Sequence, residues 1–349
     1  MEPFETLTFS PDFHRAMAFF EAQEAYEPSP LRTVETPFGA TVMLKDETGR
    51  MGLGAFKALG GPYAVARLLA ADWRAETGAS PDPDQMKDPA FRAFAAKRTF
   101  VCASAGNHGM GVAAGAKALG AKARIYLART VPPGFDARLQ AHDAEVVRAG
   151  ETYEESVAAA ISDAERTGAT LLADGTWPGY TEIPKLVMEG YTVIAEELRA
   201  AFEASGAWPS HVYLQAGVGG LAAAMAHMIR LNWAVQPELI VVEPEAAPCL
   251  RESHRAGSPV VVSGPDSTMG RLDCKEPSIV AWQVLERCNV TYEALTEDEG
   301  EAAARAVTAL GVATTPSGAA GYGALAKQHL RGGLSADARP LVLITEGPA

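Results

Sequence analysis

Short runs of apolar, often β-branched residues alternate along the chain with longer stretches rich in alanine. The short runs predict strands at 41–45, 98–104, 123–128, 144–149, 211–215, 238–244 and 340–345. The alanine-rich stretches predict helices at 61–76, 108–120, 135–144 and 153–168, and further helices between the later strands. Because strands that alternate with helices are typical of parallel sheets, the pattern predicts an α/β fold.

Length and composition narrow the class of protein. The 349 residues, of which 48% are hydrophobic, are enough for a large core and favour two lobes. The net charge of −13 argues against nucleic acid or an anionic membrane as the main partner. The four cysteines form no CxxC pair, which argues against a zinc site and favours reduced thiols. With no signal peptide and no apolar run near about 18 residues, we expect a cytoplasmic protein without a membrane span.

In parallel α/β sheets ligands lie where strands end and helices begin, and the first such segment is LKDETGRMGLGAFKALGG at 44–61. A strand ends in an acidic turn, and a glycine-rich loop that can approach a ligand closely leads to Lys57. Lys57 follows Phe56 in an otherwise apolar stretch. Since burial disfavours an ammonium ion, this position favours a neutral amine able to form a Schiff base. Taken alone, the segment is explained better by a surface lysine with a buried stem.

The second segment is CASAGNHGMG at 102–111, where a strand runs into a polar loop and then a helix. Free N–H groups at a helix start attract a carboxylate, and Ser104 adds a hydroxyl donor. An ordinary helix cap formed by Ser104 or Asn107 is the simpler alternative, and His108 alone would more often be structural than catalytic.

Two further segments follow strands. Residues 214–225, LQAGVGGLAAAM, place glycines before a helix, where successive N–H groups can bind a phosphate without a basic side chain. The spacing is not GxGxxG, which argues against a dinucleotide site, although tight packing alone also explains such glycines. The last segment is LVLITEGPA at 341–349, where Thr345 follows a predicted strand. Its hydroxyl can contact a ring nitrogen. The alternative is a C-terminal edge strand whose polar residues have no function.

Together these segments resemble the fold-type-II pyridoxal-phosphate (PLP) enzymes, the threonine dehydratase and tryptophan synthase β-chain superfamily, and most closely the diaminopropionate ammonia-lyases. The resemblance extends from YEPSPL at 26–31 to the last strand. Besides 44–61 and LQAGVGG, it depends on ADGTWPGYTEIPKLVMEGY at 173–191, VVEPEAAPCL at 241–250 and MGRLDCKEPS at 269–278. It implies a large PLP-binding domain (1–74 and 171–349), a small domain (75–170), mostly parallel sheets flanked by helices, PLP between the domains, and a homodimer.

The resemblance also implies a role for each matching position. Lys57 matches the Schiff-base lysine and would remove the Cα proton. Asp174, in DGTW, matches an acidic residue near the substrate and is a candidate catalytic residue that assists departure of the β-group or holds the substrate amine, although a helix or turn cap explains it nearly as well. The implied cofactor contacts are Asn107 at the phenolic oxygen, Gly217, Val218, Gly219 and Gly220 at the phosphate, and Thr345 at the pyridine nitrogen. The implied substrate loop, which receives the carboxylate, contains Ser104, Ala105, Gly106 and His108.

The implied reaction is α,β-elimination from 2,3-diaminopropionate or a close analogue, giving a 2-keto acid and ammonia. The hydroxyl of Thr345 does not force protonation of the ring nitrogen, so the cofactor is a weaker electron sink that favours loss of a β-substituent over racemisation or transamination. Three alternatives stay open. They are a PLP-dependent dehydratase of L-serine, L-threonine or 3-hydroxyaspartate, a PLP-binding protein without turnover, and a nicotinamide-dependent dehydrogenase.

The chain departs from the ammonia-lyase pattern at several positions. Ala105 stands where that family usually has an aspartate, taken as the base for one enantiomer, so we expect turnover of one isomer, L. Gly54 replaces an asparagine, and Asp273 and Lys275 stand where small residues are expected. Lys275 and Arg271 could bind a second carboxylate, although solvated surface cations explain them more simply.

Overall fold

The computed structural model describes residues 7–335 and 337–348. In that part of the chain the strands are β1 (Leu31–Glu35), β2 (Thr41–Asp46), β3 (Thr99–Ala103), β4 (Lys122–Leu127), β5 (Glu145–Arg148), β6 (Thr170–Leu171), β7 (His211–Gln215), β8 (Glu238–Pro244), β9 (Thr291–Leu295) and β10 (Pro340–Ile344). The helices are α1 (Phe13–Glu21), α2 (Lys57–Thr77), α3 (Pro89–Ala95), α4 (Asn107–Leu119), α5 (Gly134–Gln140), α6 (Tyr153–Thr167), α7 (Glu182–Ser205), α8 (Gly220–Asn232), α9 (Cys249–Ala256), α10 (Ile279–Arg287), α11 (Glu297–Ala309) and α12 (Pro316–Leu330). The predicted alternation of strands and helices, and with it the α/β class, is confirmed.

The larger sheet has six strands in the order β1, β2, β10, β7, β8, β9. All neighbouring pairs are parallel except β1 with β2, so the sheet is mostly parallel, as predicted. Every residue of β10 is buried, which is expected of a central strand covered by helices on both faces. The edge strands β1 and β9 were not predicted, because LRTVE and TYEAL mix polar and apolar residues and are only partly buried.

The smaller sheet has four parallel strands in the order β5, β4, β3, β6. Helices α4 and α6 pack against β3 and β4. Its strands run from Thr99 to Leu171, so apart from Leu171 they fall within the predicted small domain at 75–170. The division of the chain into domains at those residues stays a prediction.

Helix α2 packs against α4 through positions where only glycine fits. A Cβ atom at Gly61 would lie 2.7 Å from the backbone nitrogen of Val112, and one at Gly111 would lie 2.6 Å from the carbonyl oxygen of Lys57. Helix α2 begins at Lys57, four residues before the predicted start at 61, and α4 begins at Asn107. The close approach of the two backbones therefore brings the starts of both helices together.

Within the described residues, no helix combines the length and apolarity needed to cross a bilayer. The same residues contain no group of three or more His, Cys, Asp or Glu side chains in position to hold a metal ion. All four cysteines are free; three are buried, and the fourth, Cys274, is half-buried at the cavity described next.

Candidate active site

A cavity of about 910 Å³ is lined by residues that follow β3, β7 and β10 and by the start of α2. This is the position expected for a ligand in a parallel α/β protein. The cavity brings together every site residue predicted from the sequence: Lys57, Ser104, Ala105, Gly106, Asn107, His108, Asp174, Gly217, Val218, Gly219, Gly220 and Thr345.

Lys57, the first residue of α2, forms an ion pair with Asp174, and about a quarter of each side chain is exposed. Burial disfavours the ammonium ion, but the contacting carboxylate outweighs this effect, so the pKa of Lys57 is raised above its ordinary value. Burial likewise acts to raise the pKa of Asp174, but neighbouring His108 and Lys57 lower it well below its ordinary value. The neutral amine expected from burial alone is therefore wrong for this geometry, because the sequence could not show that Asp174 contacts Lys57.

His108 lies beside Asp174 and is only 3% exposed. Its Nε2 lies 3.0 Å from the carbonyl oxygen of Leu172, and its Nδ1 lies 3.9 Å from Oδ2 of Asp174. A carbonyl can only accept, so Nε2 carries the proton and donates. Burial lowers the pKa of His108, which favours the neutral ring. His108 thus lies beside the Lys57–Asp174 pair, a placement that the sequence did not indicate.

The loop from Ser104 to Gly106 leads into α4. The hydroxyl of Ser104 accepts a hydrogen bond of 3.2 Å from the backbone N–H of Gly106, and no side chain caps the helix. The first N–H groups of α4 are therefore free to bind an anion, such as a carboxylate, from the cavity. Arg271 lies over this loop, since a Cβ atom at Gly106 would be 3.0 Å from its Nη1.

Arg271 and Lys275, the two cations considered for a second carboxylate, have different surroundings. Lys275 donates to the carbonyl oxygens of Ala246 and Pro265, each at 2.9 Å, and pairs with Asp273. The Lys275 ammonium is therefore used to hold its own loop. The Arg271 side chain lines the cavity and is 36% exposed, and its Nε lies 3.9 Å from Oε2 of Glu346, its ion-pair partner.

The loop between β7 and α8 forms a cradle of backbone. Gly219 has a φ of +101°, and a Cβ atom there would lie 2.9 Å from Cδ1 of Leu250. A Cβ atom at Gly217 would lie 2.8 Å from Sγ of Cys274. No side chain caps α8, so its first N–H groups are available to an anion, and a phosphate fits such a cradle.

Thr345 is buried at the end of β10, and its hydroxyl accepts a hydrogen bond of 3.1 Å from Nε2 of Gln215. Because Gln215 donates to that oxygen, the Thr345 proton is left to donate elsewhere. The carbonyl of Thr345 accepts a hydrogen bond of 3.0 Å from the N–H of Phe56, which ties the loop of Lys57 to the last strand. Gln215 is a site residue beyond those predicted from the sequence, although its place at a strand end before the glycine loop is a usable signal.

Buried polar atoms around the cavity support a ligand with hydrogen-bonding groups. Within the described residues, Nδ1 of His108, Oε1 of Gln215 and the hydroxyl of Tyr191 have no hydrogen-bond partner. A buried polar group without a partner is costly. The amine of Lys57 suits the aldehyde of PLP, and the glycine cradle suits its phosphate. The polar atoms without partners suit the ring.

Comparison with known proteins agrees with this geometry. Residues 22–346 match the family model described as pyridoxal-phosphate dependent enzyme. Diaminopropionate ammonia-lyase of Escherichia coli (strain K12) is 32% identical over 95% of this chain and 87% of its own length. The Salmonella typhimurium enzyme is 33% identical over 96% of this chain and 88% of its own length.

A solved structure of the Escherichia coli ammonia-lyase in complex with D-serine superposes with a TM-score of 0.84 at 29% identity. The superposition covers 98% of this chain and 92% of that one. The chain is therefore a pyridoxal-phosphate-dependent enzyme and belongs to the family of the diaminopropionate ammonia-lyases.

Proposed function

We propose that this protein catalyses α,β-elimination of ammonia from 2,3-diaminopropionate or a close analogue and releases a 2-keto acid. The observation that carries the proposal is the Lys57–Asp174 pair, which lies in one cavity with a carboxylate-binding loop and a glycine cradle. The relatives of this chain with that printed activity support the same substrate.

PLP supplies an electron sink that stabilises negative charge at the substrate Cα. Lys57 would hold the cofactor through its amine and would remove the Cα proton of the substrate. Both roles need the neutral amine, so the ammonium form that Asp174 favours has to lose its proton first. Asn107 and Thr345 bind the polar edges of the ring, and residues 217–220 bind the phosphate. These roles follow from the family resemblance and from the common cavity.

Asp174 suits a leaving group that is already protonated. Its lowered pKa keeps it an anion near neutral pH, so it is a weak proton donor. The β-amine of diaminopropionate is an ammonium ion at that pH and departs as ammonia without receiving a proton. The β-hydroxyl of serine or threonine needs a proton to leave. The charge on Asp174 therefore favours the ammonia-lyase over the dehydratase reaction.

The substrate carboxylate is bound at the start of α4, where free N–H groups, the hydroxyl of Ser104 and the guanidinium of Arg271 converge. The two charged ends of diaminopropionate then face opposite charges, with the carboxylate towards Arg271 and the β-ammonium towards Asp174. Cα would then lie between the two charged ends, in the cavity that Lys57 also lines.

We also propose that the protein acts in the cytoplasm as a homodimer, with domains at 1–74 with 171–349 and at 75–170. The family resemblance is the basis for each of these statements. Size-exclusion chromatography with light scattering measures the oligomeric state directly, and a monomeric mass for the active holoenzyme contradicts the homodimer.

The first experiment locates the cofactor. Borohydride reduction of the holoprotein followed by peptide mapping should label Lys57. Lys57→Ala should abolish the label, whereas Lys185→Ala, which changes a lysine paired with Glu182 on α7, should leave it intact. Labelling of a lysine other than Lys57 would overturn the assignment.

The second experiment measures release of keto acid and ammonia from β-substituted amino acids in both configurations. Diaminopropionate should be turned over faster than serine, threonine or 3-hydroxyaspartate. Asp174→Asn should lower turnover by orders of magnitude with the cofactor spectrum retained, and Asp143→Asn, at an exposed site, is the matched control. Faster turnover of a hydroxy amino acid favours the dehydratase, and no turnover of any substrate favours a binding protein.

A further inference from the structure

Glu346 lies at the edge of the cavity directly after Thr345, and nothing in the proposed reaction uses it. It is only 5% exposed. Its Oε2 accepts a hydrogen bond from Nδ2 of Asn107, and its Oε1 accepts one of 2.6 Å from the hydroxyl of Thr315. Nε of Arg271 lies 3.9 Å from Oε2. A buried carboxylate thus contacts a proposed cofactor ligand and a cavity cation.

The backbone of Glu346 is also held in place by hydrogen bonds. Its carbonyl oxygen accepts a hydrogen bond of 2.6 Å from the hydroxyl of Thr314, and the residue forms an antiparallel bridge with Ala55. The next N–H, of Gly347, donates to the carbonyl of Gly54 at 2.9 Å. The carboxylate is therefore held relative to the loop that leads to Lys57, the proposed cofactor lysine.

We propose that Glu346 is a positioning residue that fixes the side-chain amide of Asn107 for the cofactor. A carboxylate can only accept hydrogen bonds, so it selects the orientation in which Nδ2 of Asn107 faces Glu346. One N–H of that amide is then used, and the second N–H remains for the phenolic oxygen of PLP. Without Glu346, the broad torsion at the end of an asparagine side chain lets the amide turn its carbonyl towards that oxygen.

This inference rests on the proposed role of Asn107, so the two are tested together. The measurements are the dissociation constant of PLP, by titration of the apoprotein, and the absorption spectrum of the bound cofactor between pH 6 and 9. The variants are Glu346→Ala, Glu346→Gln and Asn107→Ala, and the matched control is Glu301→Gln on the exposed face of α11.

Glu346→Ala should weaken PLP binding about tenfold, the size of one hydrogen bond to a charged group, and shift the absorption maximum. Glu346→Gln should stay close to the unmodified protein, since its amide oxygen still accepts from Asn107. Asn107→Ala should reproduce the shift, and the double variant Glu346→Ala with Asn107→Ala should add nothing to it. If Glu346→Ala does not fold, Glu346→Asp replaces it, because a side chain one methylene shorter cannot reach both Asn107 and Thr315.

A loss of thermal stability without a change in the spectrum or in PLP affinity overturns the positioning role, because a merely structural residue gives that result. If Asn107→Ala alters the spectrum and Glu346→Ala does not, the inference fails and the role of Asn107 stands. If neither variant alters the spectrum, both fail.

Discussion

Replacement of Gly219 by alanine tests the proposed phosphate cradle. Gly219 lies between β7 and α8 with φ +101° and ψ −2°, a conformation that L residues rarely adopt. A Cβ atom there would also lie 2.9 Å from Cδ1 of Leu250 and 3.1 Å from Cβ of Ala281. The substitution therefore adds backbone strain and steric overlap at one point.

The strained backbone costs about 1–3 kcal/mol. The overlap costs about 1–3 kcal/mol, and the lower end applies because the Leu250 methyl group can move. The total is about 2–4 kcal/mol. If the loop keeps its shape, the apoprotein loses this stability. If the loop relaxes, its N–H groups turn away from the phosphate and PLP binding weakens, by tenfold for each ~1.4 kcal/mol.

Urea unfolding of the apoprotein measures the loss of stability, and titration with PLP measures the loss of cofactor affinity. Gly134→Ala is the matched control, since a Cβ atom at Gly134 meets nothing within 4 Å and its φ is not in the left-handed range. The control should change neither quantity, apart from a small gain in stability from alanine in a helix. If Gly219→Ala alters both quantities by less than about 0.5 kcal/mol, the reasoning about this loop is refuted.

Three further predictions concern the cavity. Asp174→Asn removes the carboxylate that contacts Lys57 and raises its pKa, so the pKa of Lys57 falls. The pH profile of PLP incorporation into the apoprotein should move to lower pH, and an unchanged profile contradicts the ion pair. The unmodified protein should turn over L-diaminopropionate and not its D isomer, because Ala105 holds no base, and Ala105→Asp should restore some D activity; comparable rates on both isomers would show that a second base exists. Arg271→Gln should raise KM about tenfold with kcat changed little, since one charged contact with the substrate carboxylate is lost, and Arg271→Lys should recover part of the affinity; a normal KM for both variants argues against this contact.

The sequence predicted the central part of the fold better than its edges. Strands β7, β8 and β10 are short apolar runs buried by helices, and such runs are visible without a structure. Strand β1 mixes polar and apolar residues without regular alternation, lies at a sheet edge and pairs antiparallel with β2, and β9 is a partly buried edge strand. Local pattern could not separate these two from loops.

The site was predictable where its chemistry depends on local segments. Glycines before a helix, a lysine after a glycine-rich loop and a polar turn after a strand can each be read from about ten residues. The contact of Asn107 with Glu346 joins residues 239 positions apart, and the contact of Lys57 with Asp174 joins residues 117 apart. The first makes Glu346 part of the site, and the second reverses the expected charge state of Lys57. Neither contact has a local signal in the sequence.

The acidic turn before Lys57 shows how the fold holds that residue in place. Its charged side chains point into the protein. Glu47 and Arg50 form an ion pair in which neither side chain is exposed to solvent. Glu197 of α7 pairs with Arg50 and with Lys45, so two cations and two anions balance. Burial acts to raise the pKa of Glu197, but Arg50 and Lys45 lower it below its ordinary value, which keeps the anion charged. Desolvation makes such a cluster a weak source of net stability, so its main effect is to specify one geometry. That geometry anchors an irregular loop to a long helix, and the loop then delivers Lys57 to a fixed position in the cavity.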